Sequence, residues 1–325
     1  MDEKTNWGIL GCGNIAHSFA MGLRLIPNAQ IIAVASKSGK AEKFGKQYGA
    51  KYTYTNYEDL VANPEVDVIY VATTHNFHFE NTKLCLENRK PVLCEKAFTI
   101  NAEQLRILID LARKEQIFLM EAMWSRFFPC MVKLREMIAQ NKIGEVRLIK
   151  GDFGFTMPHG PEHRVFNPKL AGGALLDLGV YPISFASMIL GTPQKITSSA
   201  TMGETGVDIF SSYFLEYENG AVSMLSSSTQ LCPPHTALVV GTKGYLEIPT
   251  FSRPQKMDYW NGRKIEHMEF PYKNPGYQFE ALEVMECLKN GRIESIIMSL
   301  DESLTIMETM DTMRDQWHFK YPEEK

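Results

Sequence analysis

Several things that would place this chain in an extracellular, membrane or nucleic-acid setting are scarce or missing. Its six cysteines (Cys12, Cys85, Cys94, Cys130, Cys232 and Cys287) are scattered through 325 residues with no CxxC pair. That spacing argues against disulfides and structural zinc and for buried, reduced thiols. Positive charge is not in excess either: 34 Lys and Arg against 38 Asp and Glu leave a formal charge of -4, so no basic face for nucleic acid or anionic lipid is expected. No apolar run approaches the ~20 residues that a membrane helix needs. Met1 to Asn6 is polar and leads straight into an apolar strand, unlike a secretory leader. A cytoplasmic protein with no nucleic-acid or membrane partner is the expectation. Internal repeats and low-complexity segments are also absent. The chain is longer than one core usually organises, so two domains are expected.

Trp7 to Leu23 reads WGILGCGNIAHSFAMGL, an apolar strand running into Gly11, Gly13 and Ala16 and on into a helix. In this GxGxxA pattern the first glycine permits a tight turn, the second lets backbone approach a pyrophosphate, and the small third residue keeps the helix close to the strand. Amides at the helix start, at Asn14 and Ile15, then face phosphates. Two nearby glycines are common in any loop, but a strand before, a helix after and a second strand at Gln30 to Ala35 favour a dinucleotide turn over a merely structural one.

What the end of that second strand lacks is informative. NAD-binding versions carry Asp or Glu about 20 residues past the glycines, to accept hydrogen bonds from ribose. Here the chain reads Ala35-Ser36-Lys37-Ser38. A cation and two hydroxyls in place of the acid suit a 2′-phosphate, which predicts NADP over NAD, although Lys37 alone would pass for an ordinary solvated lysine.

Strand and helix signals alternate up to residue 122. Asp67 to Ala72 (DVIYVA) is a continuous apolar strand of the kind buried in parallel sheets, and Asn101 with Gln104 forms a capping box. From residue 123 to 325 the pattern changes. Asn219-Gly220, Gly241 to Gly244 and Asn261-Gly262 separate strand-like runs, the Asn-Gly pairs carrying the type I′ hairpin signature. Two helices close the chain, one stopping at Gly291, the other capped by Ser299 with Glu302 and bearing a methionine-rich core stripe. The predicted architecture is α/β: a Rossmann-type doubly wound parallel sheet over 1–122, then an α+β domain over 123–325 with a large, open, mainly antiparallel sheet and C-terminal helices.

Ligands of doubly wound sheets sit beyond the C-terminal strand ends. One end leads into Thr73-Thr74-His75-Asn76-Phe77-His78, where Thr73, Thr74, His75 and His78 are candidate cofactor contacts. The next leads into Glu95-Lys96, candidate cofactor contacts that a doubly wound sheet would set beside the nicotinamide, though position alone reads almost equally well as a solvated charge pair. His75 and His78 as a metal pair lack an obvious third ligand, so no metal is expected. Within AGGALLDLGVY (Ala171 to Tyr181), Asp177 and Tyr181 share a helix face at i, i+4, and Pro182 predicts that the helix starts close to Asp177. A tyrosine there could equally fill an interior.

GCGNIA, CEKAFTIN, MEAMWSRFFP and AGGALLDLGVY, in that order, resemble the glucose-fructose oxidoreductase, inositol dehydrogenase and MocA family, with further matches at ETGVD, VGTKG and GRIESIIMSLDESL. The resemblance spans nearly the whole chain and within the family leans to the dimeric dihydrodiol dehydrogenases and the NADP-dependent D-xylose dehydrogenases. It implies a catalytic pair of Lys96 and Tyr181, with Asp177 nearby and His75, Trp124 and Arg126 around nicotinamide and substrate. An ammonium beside a phenol that titrates near ~10 stabilises the phenolate, so the pairing makes chemical sense. The implied activity is hydride transfer between NADP and a secondary alcohol or cyclic hemiacetal of a sugar, polyol or trans-dihydrodiol. The alternatives are a non-enzymatic NADP-binding regulator of a sugar pathway, or a reductase of a cyclic ketone or imine. Ala97 stands where the family usually has proline, which is expected to free the backbone after Lys96. A homodimer through the antiparallel sheet is also implied, and the alternation Phe210 to Tyr217 allows either face to be the buried one.

Overall fold

The computed structural model describes residues 4–158 and 160–324. The N-terminal alternation becomes β1 (Thr5–Leu10), α1 (Asn14–Leu23), β2 (Ala29–Ala35), α2 (Ala41–Tyr48), β3 (Tyr52–Tyr54), α3 (Tyr57–Val61), β4 (Val68–Val71), α4 (His78–Glu87), β5 (Val92–Glu95), α5 (Ala102–Glu115) and β6 (Leu119–Ala122). All six strands pair in parallel in the order β3-β2-β1-β4-β5-β6. The order reverses between β1 and β4, the switch point at which such sheets place ligands. Every residue of β4, β5 and β6 is buried, as strands covered on both faces are. The N-cap half of the expected box is present, the Asn101 side chain accepting from the Gln104 amide at 2.9 Å, while the Gln104 side chain accepts from the amide of Ile100, one residue before the cap.

Next come α6 (Pro129–Ala139), β7 (Val146–Gly154), α7 (Val180–Leu190), β8 (Lys195–Met202), β9 (Asp208–Glu216), β10 (Val222–Ser228), β11 (Ala237–Gly241), β12 (Tyr245–Ile248), β13 (Lys256–Trp260) and β14 (Ile265–Glu269). These eight strands form one sheet, β14-β13-β12-β11-β7-β10-β9-β8, in which β7 and β10 run parallel and all other neighbours antiparallel. Burial along β9 resolves the ambiguous alternation: Ser211, Tyr213 and Leu215 point inward, Ser212 and Phe214 outward.

The hairpins fall where expected but are not type I′, which needs positive φ at both central residues. At Glu216 to Val222 only Gly220 is left-handed (φ 76°), closing a three-residue loop; at Asn261 to Lys264 only Gly262 is (φ 88°). Asn beside Gly marks a turn but does not choose among turns that all accept glycine.

Helical geometry also begins earlier than Pro182 suggested. A wide π turn, Leu175–Gly179, runs directly into α7. Pro182 therefore lies in the first turn of the regular helix, where a missing amide proton is tolerated. The run Pro168–Leu190 has the length and apolarity of a membrane span, contrary to the expectation that no run comes close, yet 78% of its apolar window is buried inside the protein, as in a core helix.

The chain divides into two compact units: residues up to Trp124 with Lys273–Ser303, and Ser125–Tyr272 with the residues from Leu304 onward. The sequence reading ran the second domain unbroken from 123 to 325. Instead α8 (Gln278–Lys289) returns to the first unit and lies so close to α1 that a Cβ on Gly22 would meet the Gln278 nitrogen at 2.9 Å. The last helix, α9 (Leu300–Gln316), follows, with Ser299 accepting from the Glu302 amide at 3.2 Å. Replacing Asn101 with Ala removes the α5 cap and is expected to cost the first unit about 1 kcal/mol, read as an earlier denaturant midpoint by a probe in that unit; Asn101→Ser keeps most of it.

Candidate active site

The glycine turn is built for close backbone approach. Gly11 has φ 93°, and a Cβ there would lie 2.8 Å from the Ala72 carbonyl oxygen. At Gly13, by contrast, nothing lies within 4 Å of where a Cβ would be, and no side chain caps the first amides of α1. Ala16 is fully buried, Asn14 is exposed and Ile15 half-buried. The helix start thus presents open N–H groups beside an empty cradle, which is what a pyrophosphate requires. Cys12 is inert by comparison: burial pushes its thiol up to about 11 despite the nearby Lys40 ammonium.

At the end of β2 the Ser36 and Ser38 hydroxyls lie 2.9 Å apart, and the exposed Lys37 ammonium rests over the Tyr57 ring, 4.7 Å from its centroid. Lys40, also exposed, stands three residues on. The sequence reading passed over this second cation, although its spacing from Lys37 was a visible signal.

The ends of β4 and β5 are tied to each other. His75 Nε2 lies 3.2 Å from the Lys96 carbonyl oxygen, while His78 Nδ1 and Nε2 lie 2.8 and 3.1 Å from the carbonyls of Ala97 and Thr73. Thr73 Oγ1 accepts from Asn81, and Thr74 Oγ1 donates to Asn76. His78 is fully buried. Carbonyls beside both its ring nitrogens give it a part in holding backbone. Ala97, joined to Lys96 by a cis peptide, is fully buried too. The freedom expected from the missing proline is taken up by these contacts.

Glu95 is 4% exposed, which rules out the solvated charge pair. One carboxylate oxygen accepts from the Tyr70 hydroxyl, the other from the Lys96 amide at 3.2 Å, so it braces the loop that carries Lys96. Glu280 on α8 went unnoticed in the sequence. It is fully buried, both its oxygens lack hydrogen-bond partners, and burial together with the Glu95 charge pushes its pKa well above the carboxylate range. Trp124 stacks on Tyr277 with centroids 4.2 Å apart.

In the second unit Asp177 lies in the π turn and takes both its oxygens to one Arg164 nitrogen, at 3.1 and 2.9 Å. Tyr181, 7% exposed, begins α7 beside an aromatic group: its ring is 4.7 Å from Phe153, which lies 5.2 Å from Phe155 and 4.9 Å from His235. Arg126, expected at the nicotinamide, is 2% exposed and donates to the Ser184 hydroxyl and carbonyl at 2.8 and 2.7 Å. It grips α7 one turn beyond Tyr181. Among the described residues no group of three His, Cys, Asp or Glu is disposed to hold a metal ion.

Comparison with known proteins bears directly on this site. Residues 5–123 match the model of an oxidoreductase family with an NAD-binding Rossmann fold, and residues 131–247 the C-terminal domain of the GFO/IDH/MocA proteins. A trans-1,2-dihydrobenzene-1,2-diol dehydrogenase of Xenopus laevis is 37% identical, covering 98% of this chain and 99% of its own. The chain belongs to the GFO/IDH/MocA oxidoreductase family. A second relative in this family, the D-xylose 1-dehydrogenase (NADP(+)) of Hypocrea jecorina, is 35% identical over 98% of this chain and 93% of its own. The aldose-aldose oxidoreductase of Caulobacter crescentus, solved with glycerol, shares the fold with a TM-score of 0.89 at 24% identity, over 96% of this chain and 97% of that one.

The two glycines separate cofactor binding from folding. Gly13→Ala adds a methyl to open space and is expected to weaken dinucleotide binding about tenfold or more at an unchanged melting temperature. Gly11→Ala forces a left-handed side chain onto Ala72 and is expected to lower the melting temperature as well. Titration calorimetry beside a thermal melt reads both.

Proposed function

We propose that the protein is an NADP-dependent dehydrogenase that oxidises a secondary alcohol or cyclic hemiacetal of a sugar, polyol or trans-dihydrodiol. The observation that carries this reading lies in one parallel sheet: an open glycine turn after β1 and, beyond β5, a lysine whose loop is clamped by His75 and His78. The names of the two relatives point the same way, and the NADP preference is supported by Lys37, Ser36 and Ser38 standing where an acid would hold ribose.

The glycine turn and the α1 amides hold the pyrophosphate, Lys37 the 2′-phosphate. When bound, the nicotinamide would supply the acceptor for the hydride of the carbinol carbon. The proton of the carbinol hydroxyl goes to Tyr181. A phenol near ~10 serves as a base at neutral pH only with a cation to stabilise its anion, which is the part of Lys96. Asp177, steadied by Arg164, accepts a further substrate hydroxyl. The aromatic group at Tyr181 suits the C–H face of a sugar or dihydrodiol ring. The presence of both Lys96 and Tyr181 speaks for this reading over the non-enzymatic regulator.

Five of the six cysteines are buried thiols, which suits a reducing compartment, so a cytoplasmic address is part of the proposal, with no nucleic-acid or membrane partner. So is a homodimer through the outward face of β8 to β10, where Phe214 and Met224 are 37% and 49% exposed. A monomeric mass in light scattering would refute it.

Tyr181→Phe and Lys96→Met are each expected to keep NADP binding and lose turnover by about a hundredfold or more, in a sugar and diol panel followed by NADPH absorbance. Lys37→Glu is expected to raise KM for NADP about tenfold while improving use of NAD. Equal KM values for the two cofactors in the unmodified enzyme would refute the NADP assignment.

A further inference from the structure

The ETGVD segment has no part in the site described so far, yet its last residue is buried beneath the turn that carries Asp177 and leads to Tyr181. Asp208, at the start of β9, is 2% exposed. Its Oδ2 accepts two hydrogen bonds, from the Leu175 amide at 2.8 Å and from the Ser211 hydroxyl at 3.1 Å. The Ser211 hydroxyl lies 2.6 Å from that of Tyr213, which lies 2.6 Å from Ser227 Oγ, and Ser227 donates to the Ala174 carbonyl at 3.3 Å. A continuous set of close polar contacts thus leads from the Leu175 amide through Asp208 and the three hydroxyls back to the Ala174 carbonyl.

The glycines of AGGALLDLGVY fit around this path. A Cβ on Gly173 would meet Asp208 Oδ1 at 2.4 Å, and one on Gly179 would meet the Tyr213 hydroxyl at 2.5 Å and Ser227 Oγ at 3.1 Å. The turn therefore meets the polar group at both its ends, at Gly173 to Leu175 and at Gly179. Tyr321 donates to the Gly172 carbonyl at 2.7 Å, and the Arg314 guanidinium lies over the Tyr321 ring. A π turn has no regular i to i+4 ladder to set its rotation. Its own i to i+5 bonds are joined by outside contacts such as these in setting its direction and that of the side chains one turn on.

We propose that Asp208, with the Ser211, Tyr213 and Ser227 hydroxyls, is a positioning residue for Tyr181. It acts through the backbone at Ala174 and Leu175, setting the rotation of the π turn and so the aim of the phenol at the start of α7. The inference rests on the proposed role of Tyr181 in proton transfer. A side chain displaced by a fraction of its reach loses rate without losing the fold, because proton transfer needs hydrogen-bond distance.

The test is a double-mutant cycle between Asp208→Ala and Tyr181→Phe, with Asp208→Asn as the conservative variant, reading kcat and KM for D-xylose and for a trans-dihydrodiol with NADP. Asp208→Ala is expected to lower kcat about tenfold or more while KM for NADP stays within about twofold. Asp208→Asn, which can still accept from the Leu175 amide, is expected to recover most of that loss. In the Tyr181→Phe background Asp208→Ala is expected to have no further effect, since its influence passes through the phenol. Full additivity in the cycle, or unchanged kcat in a folded Asp208→Ala enzyme, would overturn the inference. Should Asp208→Ala fail to fold, Tyr213→Phe interrupts the same path: a several-fold loss of kcat supports the inference and a wild-type kcat overturns it. Unchanged turnover in Tyr181→Phe alone would instead remove the functional reading on which it rests.

Discussion

At Gly11 three strand ends meet in so little space that a single methyl group would collide with backbone. Its amide donates to the Ala35 carbonyl at the end of β2, while the Ala72 amide beyond β4 donates to Leu10. The missing side chain lets the chain turn over the top of β4 and deliver the first amides of α1 into the open. β1 and β4 are the neighbours between which the strand order reverses, so the tight turn and the crevice of the sheet coincide. The loops after β4 and β5 then need only be held at fixed distance from that point. His75 and His78 do this, joining the Thr73 segment to the carbonyls of Lys96 and Ala97.

That arrangement gives polar side chains near the strand ends a structural task as well. Loops, short helical turns and a π turn leave more amide and carbonyl groups unpaired than regular elements do, and each one buried without a partner costs about 1–3 kcal/mol. Such segments gather at the strand ends, so polar side chains are needed there for the chain's own sake. His78 and Glu95 meet that demand, bonding to main-chain groups of Thr73, Ala97 and Lys96. Sequence position places a polar residue near chemistry but does not say which way it turns.

What was legible from sequence follows the same division. The parallel sheet, the glycine turn, the Asn101 cap and the places of the hairpins depend on neighbours in sequence, and the structure has all of them. The hairpin type depends on which central residue takes positive φ, a choice that glycine's freedom leaves open. The π turn before Pro182 and the return of Lys273–Ser303 to the first unit depend on contacts between distant segments, such as the Gln278 backbone against Gly22. Glu280 was invisible for a related reason: a glutamate in the first turn of a helix looks like an ordinary partner for the helix dipole until the fold buries it.

Two buried carboxyls show how much the surroundings decide. Asp208 has its pKa raised from 3.8 to about 6 by burial, an effect opposed by the Leu175 amide, the Ser211 hydroxyl and the Arg314 charge. Glu280 has no such donors, and the Glu95 charge adds to desolvation. The sign of the linkage is the same for both: a proton held more tightly in the folded state stabilises it below the unfolded pKa, and that contribution fades as pH rises through the folded value. For Asp208 the loss runs from 3.8 to about 6, so near neutrality it is ionised, and the two donors on one oxygen offset the cost of the charge. For Glu280 the shift has the same sign, with the Glu95 charge adding to burial and no donor among the described residues opposing it. A carboxyl supplied with donors can fix a turn, as Asp208 does through the Leu175 amide, whereas one without them is left to the interior behind Glu95.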